Sequence, residues 1–217
     1  MKKLLGAVII ILLCNACKFN SNDKKTLPIY GERHPVTKVV NGQTVVDTEY
    51  QTIPPFKYIN QYGDSISDKN LAGKIYVADF FFTSCPSICP VMQRNMLTVY
   101  NTFKNTDDVK ILSYTIDPKY DSVKVLKKYA DKLGISGSMW WLLQGKKDDT
   151  YQLAEKSYLV AVSADSTVPG GYVHQGYFVL VDKQKRVRGS YDGTSPQQVA
   201  QLIDDIKTLK ADTASAK

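Results

Sequence analysis

The apolar positions of this chain change period from one segment to the next, and the changes mark its elements. Residues 4–13 are an unbroken apolar run behind Lys2 and Lys3. Residues 36–40 and 44–46 are β-prone and flank Asn41-Gly42. Both turn positions there accept positive φ, so the pattern predicts a hairpin. A smaller β unit is predicted over residues 56–59 and 65–67, turning at Gly63-Asp64.

From residue 74 the alternation becomes regular. Residues 74–82, KIYVADFFF, are almost wholly apolar, as a strand buried on both faces must be. A loop with Pro86 and Pro90 leads to a predicted helix over 91–103 and a strand over 109–116. Residues 121–133 set Val123, Leu126, Ala130 and Leu133 on one helical face, with Gly134 as the stop. A strand at 139–143, a helix from about 148 and a strand at 158–162 follow, then an antiparallel pair at 176–182 and 186–191. Ser195-Pro196 opens the last helix, with serine as N-cap and proline at the first helical position. Val199, Leu202, Ile203, Ile206 and Leu209 form its buried stripe. This order predicts an α/β domain: a central mixed sheet flanked by helices, with an N-terminal β-hairpin extension. The two cysteines where the first long strand meets its helix give it the arrangement of a thioredoxin-like fold, an analogy at fold level.

Composition adds little to this. At 217 residues, 43% apolar and 23% charged, with no internal repeat, the chain suits one globular domain with tails. The first apolar run is too short to span a bilayer and right for the core of an export signal. It ends at Leu13-Cys14-Asn15-Ala16-Cys17, the order of a bacterial lipobox, in which the cysteine becomes a lipid-modified N-terminus. Cys17 fits better than Cys14 because Ala16 is small and Leu13 is not. The chain then divides into a lipoprotein signal (1–17), a tether and hairpin (18–50), a thioredoxin-like domain (51–210) and a tail (211–217). Its expected place is a membrane, through the lipid anchor, facing the periplasm or extracytoplasmic space. The polar residues up to about 35 read as tether. Without Lys2 and Lys3 there are 26 basic against 21 acidic side chains, a formal +5. Lys124, Lys127, Lys128 and Lys132 are spread along a helix, which argues against nucleic acid as a partner. A monomer is expected.

Cysteine usage is more informative. With Cys14 and Cys17 assigned to export, the domain keeps Cys85 and Cys89, too few for a disulfide framework. They stand in TSCPSICP at a strand-to-helix junction, where unpaired N–H groups and the helix dipole favour thiolate. Thiolate both attacks disulfides and binds soft metals. Thioredoxin-type redox pairs have two intervening residues and this pair has three, so two sulfurs one turn apart can aim at one point. A structural zinc site would need four ligands. His34, beside Pro35, reads as an exposed polar residue. His174 lies in GGYVHQG, where flanking glycines leave a loop free to bring an imidazole over the sulfurs. Two thiolates and an imidazole suit Cu(I) or Cu(II). A histidine that is packed or exposed and binds nothing is the alternative from spacing alone.

Three motifs in order, FFTSCPSICP, YTIDPKYD (114–121) and VHQGYFVLVD (173–182), resemble the Sco/SenC family over roughly residues 53–209. The resemblance implies a thioredoxin-like fold, copper as the bound metal, and Cys85, Cys89 and His174 as its ligands. It implies delivery of copper to the binuclear copper centre of cytochrome c oxidase or to another copper protein. The alternative is a thiol-disulfide oxidoreductase in which Cys85 and Cys89 are the redox pair that reduces the acceptor's cysteines. Asp117 matches the first acid of the family's D-P-x-x-D segment, near the site. Asp79, six residues before Cys85 in an apolar strand, should be desolvated and harder to ionise. It reads as a proton relay beneath the dithiol, as in thioredoxin, or as a satisfied internal acid. Met92 and Met96, one helical turn apart, read as core. A peroxide-reducing enzyme is disfavoured, because no separate reactive cysteine with an arginine partner is present.

Overall fold

The computed structural model describes residues 26–212. The expected export signal, Cys17 and most of the expected tail fall outside them. β1 (Arg33–Val40) and β2 (Gln43–Tyr50) form the predicted hairpin, with Asn41 and Gly42 at φ 52° and 78°. His34, expected in the tether, stands on β1 opposite Glu49 and is exposed. The tether also ends earlier than its polarity suggests. Leu27 is buried, Tyr30 donates its N–H to Val187 O at 2.9 Å, and Arg188 donates to the carbonyls of Leu27 and Pro28 at 2.5 and 2.9 Å. A buried guanidinium has five donors to satisfy, and this stretch of backbone meets part of that demand.

β3 (Lys57–Ile59) and β4 (Ser65–Ser67) make the small second hairpin. The central sheet comprises β5 (Ile75–Phe81), β6 (Val109–Thr115), β7 (Trp140–Leu143), β10 (Tyr177–Val181) and β11 (Val187–Asp192), in the order β11-β10-β5-β6-β7. β5, β6 and β7 run parallel, joined through α1 (Cys89–Phe103) and α2 (Val123–Leu133); β10 is antiparallel to β5 and to β11. Every residue of β5 and β6 is buried, which explains why the first reads as a near-continuous apolar run. α3 (Lys147–Leu153) follows β7, and α4 (Pro196–Ala211), capped by Ser195, packs on α1, β5 and β11.

Three boundaries differ from the sequence pattern. α1 begins at Cys89 and not at Val91, because Pro90 sits in the first turn, where no N–H is required. α2 begins at Val123 with Ser122 as its N-cap, and Asp121, expected inside the helix, turns its carboxylate elsewhere. The strand expected over 158–162 is absent. Residues Ala154–Tyr158 close α3 with a π-helical turn, and Leu159 takes a left-handed φ of 60°. β8 (Val162–Ala164) starts only after that turn and pairs with β9 (Tyr172–His174).

Candidate metal centre

The Cys85 loop is tight. Cys85 donates its N–H to Phe82 O at 3.2 Å, just after β5 ends, and Cys89 is the first residue of α1. The loop therefore presents one sulfur from the turn and one from the helix start. Both are free thiols; Cys85 is 8% exposed and Cys89 1%. His174 comes from β9, and its Nε2 lies 3.2 Å from Cys89 Sγ. Sγ of Cys85, Sγ of Cys89 and a ring nitrogen of His174 all lie within 4.8 Å of one another. Among the described residues this is the one group of three or more potential ligands.

The histidine does not ride on a free glycine loop. It is held in a strand pair, opposite Val162, and Gln175 ties the next position to Ala161 through backbone and side-chain hydrogen bonds at 3.1 and 3.0 Å. The glycines serve the approach instead. Gly170, at φ 90°, packs where a Cβ would meet Phe82 and Pro86 at 3.0 Å. Phe82 stands edge-on to His174 and against Tyr172, with ring centroids 5.9 and 5.1 Å away. A shorter loop or a bulkier residue here would lift the imidazole off the sulfurs.

The two thiols are unlike. The neighbouring Cys89 thiol draws Cys85 well below the usual thiol range; His174 and the N–H groups of Ser87 and Cys89 add to this. Cys89, beside Cys85 and more buried, is pushed well above it. The asymmetry favours ionisation of Cys85 over Cys89. His174 Nδ1 is buried without a hydrogen-bond partner. Two soft sulfurs and an imidazole around one point fit a soft or borderline cation of low coordination number.

Asp79 is fully buried and does not bond to either sulfur. It accepts from the Ser113 hydroxyl and from Gln93 Nε2 at 3.1 Å, and burial raises its pKa to about 6. Asp117 lies at the edge of the site, beside Tyr172, and takes its own N–H to Thr115 Oγ1 at 3.1 Å. The acid that reaches the dithiol loop is Asp121, which sequence reasoning left inside a helix. It accepts from the N–H and hydroxyl of Thr83 and from the Thr115 hydroxyl. Its signal was present as the second acid of the D-P-x-x-D segment. Met92 and Met96 are fully buried core residues.

A parallel β-α-β unit completed by an antiparallel β-β-α unit, with a thiol pair at the first strand-helix junction, defines a thioredoxin-like α/β protein with a histidine added to the dithiol. The chain belongs to the SCO1/SenC family, whose family model matches residues 45–211. It is 33% identical over 172 residues to the SCO1 protein homolog of Bacillus subtilis, covering 77% of this chain and 87% of that one. The crystal structure of a SCO1/SenC family lipoprotein from Bacillus anthracis superposes with a TM-score of 0.68 at 31% identity, over 74% of this chain and 95% of the other. Yeast Sco1 with copper bound gives 0.56 at 26% identity, over 77% and 94%.

Proposed function

We propose that this protein carries copper on Cys85, Cys89 and His174, and passes it to the binuclear copper centre of cytochrome c oxidase. The convergence of the three ligand atoms within 4.8 Å carries this reading. Supporting it, yeast Sco1 has been solved with copper bound, and BsSco, 31% identical to this chain, is described as a member of the Sco family of cytochrome c oxidase assembly proteins. Cys17 would anchor the chain by lipid to the outer face of a membrane. The described helices include none long and apolar enough to cross one, and the Bacillus anthracis relative is named a lipoprotein.

The chemistry follows from the asymmetry of the site. Cys85 is the more readily ionised and the more accessible sulfur, so the metal enters and leaves on its side. Cys89 gives up its proton as it becomes a ligand, which makes binding release protons and strengthen with pH. His174, fixed by β9 and by Phe82, is the pre-oriented third ligand. Release is then ligand exchange: a partner's thiolate takes the cation as the bond to Cys85 breaks. The alternative, a thiol-disulfide oxidoreductase, uses the same two sulfurs. An imidazole whose Nε2 faces the sulfurs, 3.2 Å from Cys89 Sγ, favours the metal, since a dithiol exchange needs no third ligand.

The test is transfer. The reduced chain, loaded with one equivalent of Cu(I), is mixed with the soluble binuclear-copper domain of a cytochrome c oxidase subunit. Metal should move to the acceptor and leave this chain's thiols reduced. Reduction of an acceptor disulfide with no movement of copper would establish the reductase instead.

A further inference from the structure

Beside the dithiol, α1 and α2 leave a cleft of about 360 Å³ whose walls include Thr83, Cys85, Gln93, Arg94, Tyr129 and Lys132. Gln93 is 1% exposed, its Nε2 is held by the Asp79 carboxylate, and its Oε1 has no hydrogen-bond partner. A buried carbonyl left without a donor is unfavourable, and a ligand's N–H would relieve it. Arg94 and Lys132 are exposed at the rim, no acid lines the cleft, and neither cation forms an ion pair among the described residues. The cleft is continuous with the site, since Cys85 forms part of its wall.

We propose that this cleft receives the peptide segment flanking the acceptor's metal-binding cysteine, with a carboxylate side chain against Arg94 and Lys132 and an N–H donated to Gln93 Oε1. The inference rests on the reading that a partner's thiol approaches Cys85. It adds the chemistry of that partner: an acidic, cysteine-bearing stretch of polypeptide. The rim cations speed encounter and select for charge. The buried acceptor rewards a backbone that enters far enough to meet it.

Two short peptides serve as probes, identical except for Glu or Lys on either side of a single cysteine, each activated as the mixed disulfide with thionitrobenzoate. Reacted with the reduced full chain, the Cys85 thiolate attacks the peptide sulfur. A protein–peptide S–S bond forms, the S–S bond to thionitrobenzoate breaks, and the departing thiolate is read by its absorbance. The Glu peptide should react roughly tenfold faster at low ionic strength, with the advantage shrinking in salt. Arg94→Glu with Lys132→Glu, both surface changes, should invert the ratio. Gln93→Met should slow both peptides by one factor and leave the ratio intact. Equal rates for the two peptides, or a preference that survives the double charge reversal, overturns the proposal. So does self-association that protects Cys85 from both peptides alike, which would give the cleft to a second copy of this chain. Copper takes no part in the assay. A chain that bound no copper yet kept the Glu preference would sink the metal reading alone, and a copper-binding chain with no preference would sink the cleft alone.

Discussion

Thr83 gives both its backbone N–H, at 3.1 Å, and its hydroxyl to the carboxylate of Asp121, 38 residues further along the chain. Thr115 adds its hydroxyl at 2.5 Å, and the Asp121 side chain is fully buried. The loop that carries Cys85 is therefore pinned at its first residues to the segment that leads into α2. A three-donor contact of this kind sets where the sulfur points, although Asp121 touches neither the thiols nor the histidine.

Replacing Asp121 with alanine leaves the buried Thr115 hydroxyl and the part-buried N–H and hydroxyl of Thr83 unmet and should cost about 1–3 kcal/mol. The urea midpoint measures that loss. Iodoacetamide alkylation of Cys85 in the folded variant should also quicken, since the loop is no longer fixed. A stability loss with an unchanged alkylation rate would confine Asp121 to folding.

Asp79 makes a pH prediction. Burial raises it to about 6, above the roughly 3.9 of an unfolded chain. The folded protein holds this proton more tightly, so the associated stability is complete below about pH 4 and is lost as pH rises through about 6. Asp79→Asn removes that loss. At pH 7 the variant should be about 2–3 kcal/mol more stable than the parent, with the difference closing near pH 4. Parallel urea-stability profiles across this range would contradict the assignment. Cys85 alkylation should be unaltered, because Asp79 bonds to Ser113 and Gln93 and not to the sulfurs.

Arg188 ties the N-terminal segment to the sheet. Its Nη1 donates to Asp182 at 2.8 Å, and its other nitrogens hold the carbonyls of Leu27 and Pro28. Arg186 also pairs with Asp182, so that carboxylate keeps a cation when Arg188 is removed. Arg188→Met should therefore cost less than breaking an isolated buried pair, about 2–3 kcal/mol. The loss should fall first on residues 27–30. Hydrogen exchange at the Tyr30 amide, bonded to Val187 O, should lose its protection before the central strands do. Retained protection at Tyr30 would place the anchor elsewhere.

Local chemistry made much of the fold legible. Asn41-Gly42 could only be a tight turn, Ser195-Pro196 only a helix start, and KIYVADFFF only a strand covered on both faces. Where the pattern misled, a longer-range contact prevailed. Tyr158 and Val160 look like strand residues because they are apolar, but they face the core around a π-turn that no period of two describes. β9 is three residues long and follows two glycines, too short to show alternation, so the strand that holds His174 looked like a loop. Cys85 and Cys89 stood out through position and the scarcity of other cysteines. His174 was legible through the family motif, since no local rule brings residue 174 to residue 89. Asp121 and Gln93 were hidden for the same reason: their partners at the site are fixed by how α1 and α2 pack against the sheet.

The most direct test of the account is copper binding by the reduced chain, measured in competition with chelators of graded affinity, for the parent and for His174→Ala. The parent should bind one ion per chain. The variant should bind at least about a hundredfold more weakly, since even partners that merely orient a metal ligand are worth ten- to a hundredfold. Its thiols should remain reactive. Binding of equal strength in the two proteins, or no stoichiometric binding in the parent, would contradict the account and return Cys85 and Cys89 to the role of a redox pair.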